Sequence, residues 1–563
     1  MDSPPLPLSI LVRELAAIVG DARVSIRSDD RGTYARDMWP RLLLAVRDGA
    51  APQHPPDVVV WPTSVDEIAR VVRLARQRRL PIVPYGAGSG VCGGAVPIHG
   101  GITIDLKRMD RFLGVDEHDL VCEAEAGLNG ERLERELARR GYTLGHFPSS
   151  IYCSTLGGWL AARSAGQLST KYGKIEDMVR GLVAVTGRGE IVETGRHGRS
   201  ATGPDWTQLL VGSEGTLAVL ASARLRVRPA PEMIALRGFE FDGVPEGLEA
   251  IRRVLQRGLK PAIVRLYDPF ESFFHFRKDH DDLPGTGTDG GDHDPARSWG
   301  TGALPELKPP PPRAKTGLLG FLSALPAAAK GDLLKPGLLS PVLGKPRLAN
   351  AIADLIGERM SRRGCLLIAG CEGPRRRTTV ESGLVFGEMA RAGGRDLGEG
   401  PGKHWLATRY AVSYRMPKVF EAGAFVDTME IASTWDRLME MYRSVREAIG
   451  RHAFVGAHFS HAYAEGCSIY FTFVAQAAGR RPAEELYDRI WKDGLTAATR
   501  AGGTISHHHG VGLMKASFMN DEHRDSMAIF QSLKDVLDPD GILNPGKMGL
   551  NYEGKTWARP TSI

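Results

Sequence analysis

The sequence has no long apolar run, no Cys-x-x-Cys pair and no dense basic block, and each absence excludes a class of protein. A transmembrane helix needs about 20 consecutive apolar residues, so no segment is expected to cross a bilayer. The six cysteines are scattered, which argues against a zinc site or a disulfide framework and fits a reducing cytosol. Without a concentrated basic patch, nucleic acid is not an expected partner.

Recognisable targeting signals are also missing. Residues 1–5 lack a basic stretch followed by an apolar core, so no secretory leader is expected, and residues 561–563 do not match a peroxisomal address. The location predicted from this is the cytoplasm. Arginine outnumbers lysine, and alanine and glycine are plentiful, which is typical of a GC-rich bacterial gene.

The chain of 563 residues is too long for one hydrophobic core, so two or more domains are expected. Its hydrophobic fraction of 42% and its charged fraction of 25% are ordinary for a soluble protein. The net charge of +6 is small for this length and favours an anionic substrate or an anionic membrane surface.

A glycine-rich stretch follows the apolar residues 80–83 and organises the first half of the chain. Gly86, Gly88 and Gly90 stand at alternate positions, which allows positive φ angles and lets main-chain N–H groups approach an anion such as a pyrophosphate. A plain tight turn is the alternative. The nicotinamide fingerprint is not met, because a strand at 102–106 follows rather than a helix with an acidic residue about 20 positions on.

Further turns rich in glycine and serine follow the first, at 148–150, 154–158, 165–166, 172–173 and 212–217. In this order and spacing, the turns resemble the FAD-binding domain of the vanillyl-alcohol-oxidase (PCMH) type, over residues 55–230. The resemblance implies an FAD cofactor. Residues 84–94 contain no histidine, so non-covalent FAD is expected, although His99 and His146 leave a covalent link open.

The residues that would bind FAD are also what the resemblance implies. They are Pro84, Tyr85, Gly86, Ala87, Gly88, Ser89, Gly90, Ser149, Ser150, Ser154, Thr155, Gly158, Ala162, Arg163, Ser164, Ala165, Glu214, Gly215, Thr216, Leu217, Ala218, Val219 and Leu220.

Hydrophobic periodicity in this domain predicts strands that alternate with helices. Ser64 and Glu67 predict a capping box, in which the hydroxyl accepts the N–H of residue 67 and the carboxylate reaches back to the cap. Apolar residues then recur at helical spacing, at Ile68, Val71, Val72 and Ala75. Other strands are expected at 57–61, 81–83 and 120–124, and other helices at 10–19 and 131–140.

The second half of the chain predicts an antiparallel sheet covered by helices. Strands are expected at 262–266, 365–370, 454–456 and 468–473. Helices are expected at 379–391 and from 435, the latter with Trp435, Leu438, Met439, Tyr442 and Ile449 on one face. The predicted fold class is therefore α+β, a two-part FAD-binding domain of PCMH type plus an α+β cap domain. The predicted domains are an N-terminal helical segment at 1–54, the FAD-binding domain at 55–230, the cap domain at 231–520, and a C-terminal helix and tail at 521–563 that returns to the FAD-binding domain.

An insertion at 280–348 interrupts the cap domain. Its first part is rich in glycine and aspartate and includes a polyproline piece, a composition typical of disorder. Residues 315–345 are apolar with interspersed lysines. A loop packed on the cap domain and a monotopic patch that admits a lipid substrate from a membrane are both open hypotheses.

Three consecutive histidines, His507, His508 and His509, stand between Ser506 and Gly510 in a predicted helix-turn context. Imidazole binds several first-row metals, but neighbours on an extended chain point to alternate sides, so three rarely share one ion. No metal site is therefore predicted. Acid/base chemistry or phosphate pairing is favoured, because histidine exchanges protons near neutral pH. A surface turn is the structural alternative.

Together with this histidine run, residues 466–471, 414–415 and 435–436 resemble the alkyldihydroxyacetonephosphate synthase family of ether-lipid enzymes, and the resemblance covers roughly residues 55–550. It implies that Tyr470 donates and accepts a proton and that the three histidines are needed for activity. It also implies that Arg415 and Arg265 contact the substrate. Without the resemblance, Tyr470 would be only an aromatic strand residue.

The implied reaction has no net redox change. The fatty acid of acyl-dihydroxyacetone phosphate leaves and a long-chain alcohol takes its place, with the flavin N5 taking part. Arginine and protonated histidine suit a phosphate dianion. Tyr470 could remove the proton next to the carbonyl if its pKa falls beside the histidines. A homodimer is a further implication of the resemblance.

Two departures from the family pattern concern the substrate. Ser149 stands where the family has an aspartate that pairs with the arginine matched by Arg265, so that ion pair cannot form here. His458 and His461 could reshape the pocket or admit a metal.

The alternative function is an FAD-linked oxidase or dehydrogenase of D-2-hydroxy acids, of the D-lactate or glycolate type. That group has a Gly-Glu-His-Gly type motif where this chain has 507–510. It also has a Gly-His-x-Gly-Asp-Gly-Asn type metal strand where this chain has 457–461. Both differences favour the transferase. A non-enzymatic flavin scaffold would leave Tyr470 and the histidine run without a task.

Overall fold

The computed structural model describes residues 7–198, 200–276, 343–351, 364–410, 419–420 and 423–560. The chain forms two compact units. The first comprises Met1–Gly166, Gly173–Arg228 and His508–Ile563, and the second comprises Gln167–Tyr172 and Pro229–His507. Arg415 and most of the insertion at 280–348 lie outside the described residues.

The first unit contains a four-stranded sheet in the order β1-β2-β4-β3. Its strands are β1 Val24–Ser25, β2 Val58–Val60, β3 Ile82–Tyr85 and β4 Ile102–Asp105. β4 pairs in parallel with both β2 and β3, which requires a crossover connection. Helix Val65–Arg78 provides it, and its predicted apolar face is confirmed as buried.

The start of this helix differs from the predicted capping box in one partner. The Ser64 hydroxyl accepts the main-chain N–H of Glu67 at 3.2 Å, as predicted. The Glu67 carboxylate instead accepts the N–H of Thr63 at 2.7 Å and pairs with Arg23. Because the bond to a guanidinium is charge-assisted, it is stronger than a bond to a cap N–H and draws the carboxylate aside.

A five-stranded antiparallel sheet, in the order β5-β6-β10-β8-β9, completes the strands of the FAD-type region. The bounds of its five strands are β5 Phe112–Asp116, β6 Val121–Glu125, β8 Val179–Thr186, β9 Ile191–Glu193 and β10 Ala218–Arg226. The short strands β7 Tyr142–Thr143 and β11 Arg228–Pro229 pair with each other in a separate two-stranded sheet. The other described helices of the first unit are Leu8–Val19, Ser28–Thr33, Pro40–Arg47, Gly130–Ala138, Leu156–Ala161, Ile175–Met178, Trp206–Leu210, Met519–His523 and Ser526–Leu537.

The second unit is built on a seven-stranded antiparallel sheet in the order β15-β12-β14-β13-β17-β18-β16, which confirms the predicted sheet. The strands are β12 Met233–Phe241, β13 Ile263–Tyr267, β14 Cys365–Gly373, β15 Arg395–Asp396, β16 Phe425–Thr434, β17 Phe454–Ala462 and β18 Gly466–Ala475. Its described helices are Ser169–Tyr172, Val244–Gln256, Pro269–Phe276, Arg375–Arg391, Gly400–Thr408, Trp435–Gly450 and Arg480–Arg500.

Helix Trp435–Gly450 begins where predicted, but its buried face is partly different. Leu438 and Ile449 are buried, whereas Trp435, Met439 and Tyr442 are half-buried. Residues 441, 445 and 448 complete the face, because they follow residue 438 at the spacing of about 3.6 residues per turn.

Residues 343–351, where the insertion returns, are fixed to the second unit by one side chain. The Asn350 amide donates to the carbonyls of Gly450 and Ala453, and its oxygen accepts the N–H of Val455 at 3.0 Å. The membrane hypothesis for 315–345 concerns residues that are almost all outside those described. Across the described parts of the chain, none of the helices combines the length and hydropathy that crossing a membrane requires.

Candidate active site

The predicted pyrophosphate turn follows β3 in the first unit. Of its three glycines only Gly88 has a positive φ, of 65°. Gly86 is needed for a different reason, since a Cβ there would lie 2.4 Å from Thr155 Oγ1. The structure therefore brings the turn against the 154–158 segment, and glycine at 86 allows the close approach.

The second predicted turn begins at the cap of helix Leu156–Ala161. The Thr155 hydroxyl accepts the N–H of Gly158, and Ser154 accepts the indole N–H of Trp159 at 2.8 Å. Arg163 has a positive φ of 51°, and its guanidinium donates to the carbonyls of Val211 and Gln208. Arg163 thus ties this turn to the third predicted turn.

Glu214, in the third turn, uses its carboxylate to hold the main chain after the histidine run. It accepts the N–H of Val511 at 2.5 Å and of Gly512 at 2.8 Å. Burial raises the pKa of Glu214, and these two donors oppose the rise. Further along, Val219 packs in the hydrophobic core, so its side chain is committed to packing.

His146, which the sequence left open as a covalent flavin link, lies in the first unit. Its side chain is fully buried, and neither ring nitrogen has a hydrogen-bond partner among the residues that the structure describes. Burial, and to a smaller extent His508, lowers the pKa of His146 to about 3. The fit to a flavin nucleotide rests on the glycine-lined turn, where a Cβ at residue 86 would collide with Thr155 and main-chain N–H groups can approach a pyrophosphate.

Side chains of the C-terminal segment 521–563 contact the main chain of the same region. The Asn544 amide donates to the carbonyls of Gly94 and Glu214, at 2.8 and 2.7 Å. The buried Lys534 ammonium donates to Thr216 O and to the Asp538 carboxylate. The segment therefore connects the third turn and the end of the glycine-rich stretch.

In the second unit, a row of polar side chains crosses the sheet at Tyr470. Glu430 on β16 and His458 on β17 both lie directly opposite Tyr470 on β18. Directly opposite residues of an antiparallel pair share one face of the sheet. The His458 ring stacks on Tyr470, with ring centres 4.6 Å apart and an interplanar angle of 14°.

His458 is held between two charged residues. Arg265 donates to its Nε2 at 2.6 Å, so Nδ1 carries the proton and donates to Glu271 at 2.8 Å. Burial lowers the pKa of His458, which agrees with a neutral ring, although Glu271 opposes this. Arg265 Nε is buried without a hydrogen-bond partner in the described ranges, so it can donate to an anionic ligand.

His461 contacts Tyr470 from a β-bulge. The register of β17 with β18 shifts between Ser460 and Ala462, and His461 has a positive φ of 53°. Its Nε2 lies 2.8 Å from the Tyr470 hydroxyl, and its Nδ1 lies 2.7 Å from the Ser169 hydroxyl.

The predicted fall in the pKa of Tyr470 is wrong. Burial raises this pKa well above its ordinary value, and the Glu430 carboxylate adds to the rise, while Arg265 opposes it. The sequence showed neither the burial of the phenol, which is the larger cause, nor its cross-strand neighbour Glu430. Tyr470 is therefore protonated at neutral pH.

The histidine run adopts bends rather than a helix-turn. In the second unit, the His507 N–H donates to the fully buried Glu430 carboxylate at 3.0 Å, and the His507 ring lies 5.5 Å from that of His461. His508 and His509 belong to the first unit, with ring centres 4.7 Å apart.

The sequence did not indicate that Glu430, Glu271 and Ser169 belong to the site. It indicated His461, but not its hydrogen bond to Tyr470. Glu430 could have been noticed as one of two carboxylates, with Asp427, in the strand Phe425–Thr434, where a buried charge needs a partner. Ser169 and Glu271 carry no comparable signal, because their partners are distant in sequence.

Two family models match the chain, the FAD-binding domain at residues 56–195 and the C-terminal domain of FAD-linked oxidases at residues 343–548. Together they cover more than half of the chain. An alkyldihydroxyacetonephosphate synthase of Dictyostelium discoideum is 28% identical over 556 residues, covering 97% of this chain and 81% of the relative.

One structural and one further sequence comparison extend this similarity. A solved structure of an alkyldihydroxyacetonephosphate synthase is 26% identical with a TM-score of 0.69, covering 97% of this chain and 86% of that one. A glycolate oxidase subunit of Bacillus subtilis is 26% identical and covers 89% of this chain and 90% of its own.

Proposed function

Since the chain belongs to the FAD-dependent flavoenzymes of the PCMH type, we propose that it is an alkyldihydroxyacetonephosphate synthase-like transferase. It exchanges the acyl chain of acyl-dihydroxyacetone phosphate for a long-chain alcohol. When bound, FAD supplies an electron-accepting ring system to this exchange. The proposal extends to non-covalent FAD, held by the residues of the three turns, and to a cytoplasmic bacterial homodimer; membrane contact through 315–345 stays one of the two hypotheses for that segment.

The observation that carries the proposal is the setting of Tyr470. A protonated phenol lies between a buried carboxylate and a neutral imidazole, and it is hydrogen-bonded to a second imidazole. This arrangement moves a proton to and from one atom, Tyr470 Oη, as exchange at a carbon next to a carbonyl requires. Arg265 and Arg415 bind the phosphate, and His507, His508 and His509 assist.

The hydrogen bonds made by the rings of His458 and His461 favour the transferase over a metal-dependent oxidoreductase. Both ring nitrogens of each histidine lie within 2.8 Å of a side-chain partner. A metal ligand needs one unprotonated nitrogen directed at the ion, and neither ring offers it in this arrangement. The strand at 457–461 is therefore better suited to hydrogen bonding than to metal binding.

The test combines purified yellow protein with acyl-dihydroxyacetone phosphate and hexadecanol. Release of fatty acid that depends on the alcohol, with formation of an ether product, is expected. A matched incubation with Tyr470→Phe protein should lose this activity. Fatty-acid release that continues unchanged without the alcohol would contradict the transferase.

The alternative is an FAD-linked dehydrogenase of D-2-hydroxy acids, which the similarity to a glycolate oxidase subunit favours. Anaerobic mixing with D-lactate, glycolate or D-2-hydroxyglutarate separates the two functions. Bleaching of the flavin would support the dehydrogenase. An unbleached flavin, with alcohol-dependent acyl release in the parallel assay, supports the transferase.

A further inference from the structure

The bulge in β17 places His461 on the face of the sheet that carries Tyr470. In a regular strand, residues 458 and 461 would point to opposite faces, because side chains alternate. The extra residue between Ser460 and Ala462 breaks this alternation. A left-handed φ is costly for a residue other than glycine, so the bulge indicates that the position of the His461 ring matters.

The hydrogen bonds around His461 define a consistent proton arrangement. The Tyr463 hydroxyl donates to Ser169 Oγ at 3.2 Å. If His461 Nδ1–H also donates to Ser169 Oγ, its Nε2 is an acceptor for the Tyr470 hydroxyl. When Nε2 takes up a proton, His461 becomes an imidazolium whose Nδ1–H still donates to Ser169 Oγ.

Tyr470 needs such an acceptor. Its raised pKa excludes a standing phenolate at neutral pH, so the phenol cannot accept a substrate proton unless its own proton leaves at the same time. His461 is buried and its Nε2 is 2.8 Å from Tyr470 Oη, within the distance for direct transfer.

We propose that His461 is the proton acceptor for Tyr470, and that Ser169 and Tyr463 hold its tautomer. This inference rests on the proposed transferase function. The C–H bond next to the substrate carbonyl breaks, its proton goes to Tyr470 Oη, and its electron pair stays on the substrate as the enolate. The Tyr470 proton passes to His461 Nε2, and the reverse sequence returns it. His461 acts through Tyr470 and is a positioning residue.

The kinetic test compares His461→Ala with His452→Ala, a control that precedes the other end of strand β17 and whose ring pairs with Asp493. His461→Ala should lower the rate of transfer by roughly 10²-fold, the lower range for general acid–base catalysis. Added imidazole should restore part of the lost rate, because it can occupy the space of the missing ring. Added imidazole should not restore the rate of Tyr470→Phe protein, because the phenol itself is missing. No rescue, or equal loss in the control, would overturn the relay.

The pH profile provides a second measurement that a structural role would not affect. In the wild type the rate should fall at acid pH as His461 becomes protonated. This limb should move to the pKa of the added base in the rescued His461→Ala protein. The charged and titratable groups around the pair, which the two proteins share, are Glu430, His458, Arg265, Tyr463 and His507. An unmoved limb would contradict the inference.

A measurement without substrate separates this inference from the proposed function. In protein labelled with ¹⁵N-histidine, His461 should carry its proton on Nδ1 at neutral pH, and Tyr470→Phe should shift its Nε2 resonance. A proton on Nε2 in the wild type would overturn the relay whatever the substrate. Absence of alcohol-dependent transfer in the wild type, with the expected tautomer, would reject the proposed function but retain the Tyr470–His461 pair.

Discussion

Replacing Lys534 by methionine tests how the C-terminal segment supports the flavin-binding region. The Lys534 ammonium is 1% exposed, and it donates to Thr216 O, Leu543 O and the fully buried Asp538 carboxylate, all within 2.8 Å. Methionine keeps the apolar stem but removes the charge. Asp538 then remains as a buried carboxylate whose remaining donors, among the residues that the structure describes, are the main-chain N–H groups of residues 542 and 543.

Removing one partner of a buried ion pair costs about 3–5 kcal/mol of unfolding free energy. At about 2–3 °C per kcal/mol for a unit of this size, Lys534→Met should lower the Tm by roughly 6–15 °C. The double variant Lys534→Met/Asp538→Asn should recover about half or more of this loss, because no uncompensated charge is left buried.

Thermal unfolding at pH 7, followed by flavin fluorescence and circular dichroism, measures both effects. Flavin release should begin at a lower temperature in the single variant, because the segment also positions Asn544 against Gly94 and Glu214. A matched surface variant, Lys403→Met, removes an exposed i,i+4 pair with Glu399 and should shift the Tm by less than about 2 °C. A double variant no more stable than Lys534→Met would refute the reasoning.

Three further outcomes are expected. Glu430→Gln should lower the pKa of Tyr470 and so move the alkaline limb of the transfer rate to lower pH by up to about two units. A charge about 5 Å from Tyr470 at an effective dielectric near 20 contributes roughly 3 kcal/mol. An unmoved limb would contradict this. Arg265→Met should lower kcat/KM for the phosphorylated substrate by roughly 30-fold or more, and the value for Arg265→Lys should lie between it and the wild type. An equal loss on a non-phosphorylated analogue would exclude phosphate binding by Arg265. Acid precipitation should leave FAD in the supernatant, and a yellow pellet would indicate a covalent link.

Local patterns predicted what depends on local interactions. The buried face of helix Val65–Arg78 followed from apolar spacing, and the seven-stranded sheet followed from strands alternating with helices. The pairing of Tyr470 with Glu430 joins strands 40 positions apart, and nothing within either strand specifies the register. The pKa of Tyr470 was predicted in the wrong direction because neither the burial of its hydroxyl nor this pairing can be read from the strand itself.

His461 illustrates the same limit at short range. Its separation of three from His458 predicts opposite faces in a regular strand, and only the bulge places both rings against Tyr470. The domain boundaries and the roles of Arg415, His508 and His509 stay predictions.

The first unit takes its final part from residues after 507. On a ribosome, all residues of the second unit are therefore synthesised before Lys534 and Asn544 exist. At about 5–20 residues per second, the second unit has several seconds in which to fold ahead of the first. The predicted FAD-binding turns lie in the first unit, which is completed last. Cells starved of riboflavin lack FAD, so they should accumulate full-length chains that proteases cleave mainly in the first unit.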